Sequence, residues 1–362
     1  MKVAIIGTVG IPANYGGFET LVENLVEKKQ NPDIQYVVYC SSKRYPKKLK
    51  EYKGAILKYI PLDANDWQTP LYDTISLLIA YFSADVVLSL GGNNIIHPVL
   101  RLFKKTKVIN NFDGMDFTRE KWSGLAKKTM MFTTRITAKY ADVCIADHEI
   151  IQQHLLSKYH RSSYLIEYGG DNALAIYNDK LLYDEFGLKP QEYCFMGARI
   201  EPENNIEMLL ESFSQTPEQK LVIAGNWQKS EFGRMMRDKY KQYSNIIAID
   251  FIVDMTKLSL LRSNCKLYIH GHSVGGTNPS LVEAMNIGLP IVAYGKTPYN
   301  RGTTENKAIY FDDIDELKNI INSLDTINLE SIGVAMKEIA DRRYKWDIIC
   351  NKYETLYKNS HL

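Results

Sequence analysis

The chain is poor in the features that mark a metalloprotein, a disulfide scaffold or a membrane span. Its five cysteines (Cys40, Cys144, Cys194, Cys265, Cys350) lie far apart with no C-x-x-C. They read as reduced, mostly buried thiols of a cytosolic protein, and a zinc site is not expected. The histidines show no metal-ligand spacing. The longest apolar run after the first strand, 75–84, is too short to cross a bilayer. The opening Met1-Lys2-Val3-Ala4-Ile5-Ile6-Gly7 is a strand whose apolar stretch is too short for a signal peptide. Neither sign of charge dominates. The net charge of +2 argues against a dedicated nucleic-acid binder. No Ser/His/Asp or Cys/His constellation stands out, and no repeat or low-complexity tract is present.

What is there is length and alternation. The 362 residues, 45% apolar, suit two domains of roughly 170–180 residues each. A short all-apolar segment at 3–6 and similar, mainly apolar segments at 36–40, 84–90, 107–110 and 143–146 predict strands buried in a parallel sheet. Helical patterns fall between them at 20–29, 70–83, 122–140 and 148–157. A glycine and asparagine cluster, Tyr168-Gly169-Gly170-Asp171-Asn172, reads as an interdomain link. A second alternation follows, with strands at 193–196, 220–224, 246–249, 267–269, 291–293 and 309–311. The expected class is α/β: two Rossmann-like, doubly wound parallel sheets facing a central cleft. The expected boundaries are 1–170, 171–345 and a last helix, 346–362, packing back on the first domain. Charge is uneven between the halves. Residues 1–170 hold 22 Lys and Arg against 16 Asp and Glu, and the remainder hold 22 against 26. A basic first half points to an anionic partner, with ordinary surface variation as the alternative.

The most informative stretch runs from His270 to Met285. It leaves an apolar strand, turns through Gly275-Gly276-Thr277-Asn278 and enters a helix at Pro279, a residue suited to a first helical position. Unpaired N–H groups and the positive dipole end make such a helix start an anion site, and a pyrophosphate fits there. Ser280 lies in its first turn. Glu283 follows one turn on, on a face that can reach a ribose hydroxyl. Arg199, in Gly197-Ala198-Arg199-Ile200-Glu201-Pro202-Glu203-Asn204-Asn205, stands at another strand end. A guanidinium there can hold a leaving diphosphate through two parallel hydrogen bonds. A surface ion pair with Glu201 or Glu203 is the competing reading.

The opening loop, Gly7 to Glu19, is neither G-x-G-x-x-G nor a Walker loop. Gly16-Gly17 before a helix lets a ligand approach the backbone closely. A tight strand–helix turn explains it equally. Asp113, in Asn110-Asn111-Phe112-Asp113-Gly114-Met115-Asp116-Phe117, can bind a sugar hydroxyl or take an acceptor proton. Loop and helix capping is the alternative for Asp113 and Asp116. Gly91-Gly92-Asn93-Asn94 is a similar strand-end turn, assigned to the acceptor side. Asp313-Ile314-Asp315 is a D-x-D, but its place before a helix favours N-capping over metal binding. His270 and His272 are assigned to substrate contact, since no third metal ligand accompanies them. Bases and aromatics mix in 119–132, near Arg101, Lys104, Lys105 and Lys107. Such a patch favours an anionic membrane surface, with a solvated helix face as the alternative.

On these motifs the chain resembles the family 4 retaining glycosyltransferases of the GT-B fold. Within them it is most similar to bacterial rhamnosyltransferases of capsule, O-antigen and cell-wall polysaccharide assembly. The signals are Gly7 to Pro12 with Tyr15-Gly16-Gly17-Phe18-Glu19, Asp113-Gly114-Met115-Asp116 ending in Lys121-Trp122, Ala198 to Asn205, and His270 through Met285. The resemblance implies that Gly16 and Gly17 contact the donor or acceptor, that Arg199 holds the diphosphate, and that Glu283 holds the ribose. It assigns Tyr15, Asp113, Asp116, His270 and His272 to sugar or acceptor, and Asn204, Gly275, Gly276, Thr277, Asn278 and Ser280 to the donor. Asp113, Arg199 and Glu283 are the expected catalytic groups.

The chain departs from the wider family at three places. Gly275 stands where a glutamate usually begins Glu-x7-Glu. Asn204 replaces a lysine, with Lys296 and Arg301 as candidate substitutes. Asp113 stands where a histidine often contacts the sugar. A 6-deoxy sugar lacks a hydroxyl that some of those groups bind, so the departures fit rhamnose. The expected reaction moves L-rhamnose from dTDP-rhamnose to a saccharide on a polyprenyl diphosphate, with retention and with neither metal nor cofactor. The expected location is cytoplasmic, peripheral on the inner face of the membrane. The alternatives are a UDP- or GDP-sugar transferase, a nucleotide-sugar epimerase, or a non-catalytic scaffold.

Overall fold

A computed structural model describes residues 1–14, 16–91, 94–103, 106–112 and 124–358. The chain divides into two compact units, Met1–Tyr168 with Trp346–Leu362, and Gly169–Lys345.

The first unit is built on β1 (Lys2–Ile6), β2 (Gln35–Ser41), β3 (Glu51–Tyr52), β4 (Ala55–Ile60), β5 (Val86–Leu90), β6 (Lys107–Phe112), β7 (Val143–Ala146) and β8 (Tyr164–Leu165). They form one sheet in the order β3-β4-β2-β1-β5-β6-β7-β8. Every pairing is parallel except β3 with β4. The chain winds outward from β1 to one edge, then restarts at β5 and winds to the other. Apolar side chains fill both faces of the central strands, as helix-covered parallel sheets require. Gly7, ending β1, has φ +80°, and a Cβ there would lie 2.0 Å from the Leu90 carbonyl oxygen. Only glycine combines that φ with so close a passage by the end of β5.

The helix Trp346–Lys358 belongs to this unit. Its Glu354 accepts from the backbone N–H groups of Gln30 and Asn31 at 2.8 and 2.9 Å. Its Tyr353 hydroxyl accepts from Asn111 Nδ2 at 2.7 Å. The Trp346 ring meets Tyr168 edge-on at 4.8 Å.

The second unit has β9 (Cys194–Gly197), β10 (Leu221–Ala224), β11 (Ile246–Ile249), β12 (Leu267–His270), β13 (Ile291–Tyr294) and β14 (Ile309–Phe311). All pairings are parallel, in the order β11-β10-β9-β12-β13-β14. Strand order reverses between β9 and β12, the place where doubly wound sheets open a crevice at the carboxyl ends of their strands. Its core gathers Met196, Leu210, Ile223, Trp227, Ile269 and Phe311. The α/β class with two doubly wound parallel sheets, read from the sequence, is the one observed.

Several elements lie outside the apolar patterns. The β3–β4 hairpin sits at a sheet edge, where Ile56 faces solvent. The helix Glu231–Tyr240 is mostly polar and is capped by Ser230, whose Oγ accepts from Gly233 N at 3.0 Å. The helix Met255–Ser263 is capped by Asp254. Among the described residues no helix is long and apolar enough to cross a membrane.

Candidate functional site

The two strands flanking the reversal point in the second unit each release a loop at the carboxyl end. Residues 198–205 follow β9, and 271–278 follow β12. The loops are tied together through main-chain groups. Ser273 donates its N–H and its hydroxyl to the Glu203 carbonyl, at 3.0 and 2.8 Å. Asn205 Nδ2 donates to the Gly271 carbonyl at 2.7 Å. Gly271 lies so close to Asn204 that a Cβ would stand 2.3 Å from its carbonyl oxygen. The short helix Pro298–Thr303 after β13 joins them: Asn300 Nδ2 donates to the carbonyls of His272 and Tyr294, at 2.9 and 2.8 Å. Three strand ends thus share one hydrogen-bonded floor.

Pro279 is the first residue of the helix Pro279–Ile287, and Asn278 is its N-cap. The Asn278 side-chain oxygen accepts from Ser280 N at 3.1 Å and from the Ser280 hydroxyl at 2.9 Å. Its carbonyl accepts from the N–H groups of Leu281 and Val282. The donors of the first turn are therefore taken, which corrects the expectation of bare helical amides there. The groups left open lie one step earlier. Among the described residues, the N–H groups of Gly275, Gly276 and Asn278 bond to nothing. Gly275 has φ +134° and open space around its Cα. An anion would be met by loop amides backed by the helix dipole.

Arg199 is at the β9 end, with its side chain 51% exposed and Nη2 3.7 Å from Glu203 Oε1. The competing ion pair exists, but it is long and solvated and holds the guanidinium weakly. Asn204 is buried and donates through Nδ2 to the Arg199 carbonyl at 2.7 Å. Its amide is used to shape the loop and is not presented to a ligand. Arg301 is also committed: Nε donates to the Gly295 carbonyl at 2.9 Å, and the guanidinium lies over Tyr310 at 4.2 Å. Lys296, just past β13, is exposed.

Glu283 is buried and already oriented. Arg262 Nη1 stands 2.8 Å from its Oε2, and Asn172 Nδ2 donates to Oε1 at 2.9 Å. The Arg262 side chain is only 2% exposed. Its Nη1 is misaligned for a hydrogen bond, and its Nε makes none, so the contact is chiefly charge against charge. A carboxylate accepts several hydrogen bonds, so Glu283 retains capacity for a hydroxyl. Sequence reasoning missed both partners. The available signal for Arg262 was a cation at the apolar spacing of Leu258 and Leu261.

His270 and His272 stack with ring centroids 4.4 Å apart and planes 10° apart. His270 is fully buried, and both of its ring nitrogens lack a hydrogen bond. Burial, with His272 adding to it, pushes its titration well below the ordinary histidine value. In this arrangement His270 backs the loop and is screened from solvent; His272 is the partly exposed member of the pair.

In the first unit, Gly16 is the N-cap of the helix Gly17–Glu27, with no side-chain cap. Glu19 turns back into its own loop, where Oε1 accepts from Thr8 Oγ1 and Val9 N, both at 2.8 Å. Asn94 is buried and donates to Ser89 Oγ at 2.8 Å and to Asn110 Oδ1 at 2.7 Å. It braces the β5 and β6 ends and does not line an acceptor surface. Tyr15, Gly92, Asn93, Asp113 and Asp116 lie outside the described residues. Asp313 caps the helix Ile314–Asn322, its Oδ1 accepting from Glu316 N at 2.9 Å.

Two parallel doubly wound sheets in one chain, the second with an anion-receptive loop at its reversal point, define the class: a two-unit protein of GT-B architecture. Comparison with solved structures places the fold there. The chain is similar to a sucrose-phosphate synthase from Thermosynechococcus elongatus, at 15% identity and TM-score 0.81, covering 99% of this chain and 98% of that one. It is also similar to Anabaena Alr3699/HepE in complex with UDP and glucose, at 14% identity and TM-score 0.75, covering 99% of each. A putative UDP-N-acetylglucosamine 2-epimerase from Listeria monocytogenes matches at 14% identity and TM-score 0.63, covering 99% of this chain and 95% of that one. No curated protein matches the chain. Residues 1–171 match the family described as Domain of unknown function (DUF1972). Residues 184–329 match Glycosyl transferases group 1. Residues 184–329, within the second unit, are thus a group 1 glycosyl transferase domain, carried in a chain of the GT-B fold.

Proposed function

We propose that the chain transfers L-rhamnose from dTDP-rhamnose to a saccharide on a polyprenyl diphosphate, with retention at the anomeric carbon, in the assembly of a bacterial surface polysaccharide. The observation that carries this reading is the junction of the β9 and β12 loops. It joins the loop that carries Arg199, a weakly paired guanidinium, to the loop with open amides that leads into the helix start. That is a charge-complementary seat for a departing diphosphate. The C1–O bond to the diphosphate breaks as the acceptor oxygen bonds to C1 on the same face. The acceptor proton passes to a departing phosphate oxygen. Glu283, pinned by Arg262 and Asn172, accepts from the ribose hydroxyls. Asp113 takes the sugar or acceptor side. The acceptor's lipid places the reaction at the inner face of the cytoplasmic membrane.

The complex of Anabaena Alr3699/HepE with UDP and glucose supports a nucleotide-sugar donor for a chain of this fold. The preference for a 6-deoxy sugar rests on the departures at Gly275, Asn204 and Asp113. A panel of dTDP-, UDP- and GDP-sugars, with the product linkage read by NMR, tests the proposal. Transfer of rhamnose from dTDP-rhamnose, with the anomeric configuration of the donor kept in the product, is the expected result. Transfer only from UDP- or GDP-sugars overturns the donor assignment. The likeness to a putative 2-epimerase favours one second reading, isomerisation of the donor itself. Conversion of donor in the absence of any acceptor would establish that reading instead.

A further inference from the structure

The first unit carries a face on which, among the described residues, apolar and cationic side chains predominate, with Asp142 beside Arg101 at 3.6 Å as an acidic neighbour. In the helix Gly124–Tyr140, Thr137 and Ala138 are buried. Lys128, Met131, Phe132, Arg135 and Lys139 fall on the outward stripe at spacings of three and four. Every formal side-chain charge in that helix is positive: Lys127, Lys128, Arg135 and Lys139. Beside it, the short helix His97–Leu100 continues into the turn Arg101–Phe103. Leu102 is 80% exposed, and Val99 and Phe103 are 61% exposed. Phe103 meets Phe82 edge-on at 5.5 Å, extending the apolar surface onto the end of the helix Thr69–Tyr81. Residues 97–112 contain no acidic residue.

Apolar side chains left in water beside cations match one environment well, the interface of an anionic bilayer. There Leu and Phe enter the acyl boundary while Lys and Arg reach the headgroups. A second copy of the chain fits poorly, because a twofold interface would press the same cations together. We infer that Val99, Leu102, Phe103 and the outward stripe of 124–140 form a monotopic docking surface that inserts into anionic membrane. The inference rests on the proposed function only for what the docking serves, presentation of a lipid-carried acceptor.

The test uses the full chain and vesicles of phosphatidylglycerol with phosphatidylcholine, against phosphatidylcholine alone, in co-sedimentation. The wild type is expected to bind the anionic vesicles and to keep part of that binding at roughly 0.5 M salt, where surface electrostatics are screened. Leu102→Ser with Phe103→Ser should weaken binding at least tenfold and remove the salt-resistant part. Lys128→Glu with Arg135→Glu should weaken only the salt-sensitive part. Circular dichroism and melting of each variant guard against misfolding, and the charge pair gives a second route if the apolar pair fails to fold. A wild type that ignores anionic vesicles overturns the inference. So do variants that change self-association in light scattering while leaving vesicle binding intact. Transfer to a lipid-free acceptor glycoside separates the two readings. If it persists without vesicle binding, the docking surface falls and the proposed function stands; if vesicles bind and no donor yields transfer, the reverse holds.

Discussion

Removing the Arg262 side chain tests whether Glu283 is held by a buried charge pair. The guanidinium is 2% exposed, and the carboxylate, 2.8 Å away, is 10% exposed. Arg262→Leu leaves Glu283 the hydrogen bond from Asn172 Nδ2 but no cation against it among the described residues. Breaking a buried pair from one side costs about 3–5 kcal/mol, because the remaining charge is stranded away from water. For a unit of this size that is a fall in Tm of about 10 °C. Glu283→Leu alone should cost a similar amount, since it strands the cation. The double replacement, Arg262→Leu with Glu283→Leu, should recover most of the loss. The Arg262 Nε and Nη1 groups are buried without aligned acceptors, so the native pair compensates its own desolvation incompletely. Urea unfolding of the four proteins gives the coupling energy directly. Calorimetry with dTDP then separates fold from function, because the double variant should be stable and still fail to bind nucleotide. A loss below about 1 kcal/mol for Arg262→Leu, or additive single losses, would refute the buried-pair argument.

Arg199→Ala should leave stability unchanged, since its pairing with Glu203 is exposed and 3.7 Å long. It should lower turnover by about 10²–10³-fold through loss of leaving-group stabilisation, and steady-state kinetics with intact turnover would reject that role. Gly271→Ala forces a methyl to within 2.3 Å of the Asn204 carbonyl oxygen. It should cost roughly 1–3 kcal/mol in urea unfolding and weaken nucleotide binding together with stability. Turnover should survive EDTA, and its loss would point to a metal-assisted mechanism. Burial, only partly opposed by Asp142, holds the His97 imidazole down to about 4. An unfolded histidine takes its proton near about 6.5. The unfolded state therefore binds more protons below that pH. Stability is complete above about pH 6.5 and falls toward pH 4 by about 1.4 kcal/mol per unit for each such ring. His97→Leu should flatten that decline in urea titrations across the window, and an unchanged slope would contradict it.

Much of the loop 271–278 and the helix start behind it was legible because local chemistry marks it. Pro279 announces a helix start, Asn278 is a natural cap, and Gly275-Gly276 permits a backbone that other residues resist. Parallel strands buried on both faces leave continuous apolar runs, which is why β1, β7 and β12 stand out. Edge and polar elements leave no such trace. The β3–β4 hairpin alternates at a sheet margin, and the helix Glu231–Tyr240 is recognisable mainly from its Ser230 cap. Roles assigned by residue type were less secure. Asn204 and Asn94 have the chemistry of ligand-binding amides, yet both are turned to neighbouring loop and strand-end groups. Arg301 has the charge of a phosphate ligand but spends it on Gly295 and Tyr310.

The sequence by itself determined the periodicity, and with it the α/β class, the strand-to-helix junctions and the residue types available at each. Those depend on neighbours three or four positions apart, where backbone geometry alone dictates which side chains share a face. Only the tertiary structure decided which loops meet and which charges pair. Joining Ser273 to Glu203 and Arg262 to Glu283 requires strand order and helix placement. Those arise from burying many distant side chains at once, and no local spacing in the chain encodes them.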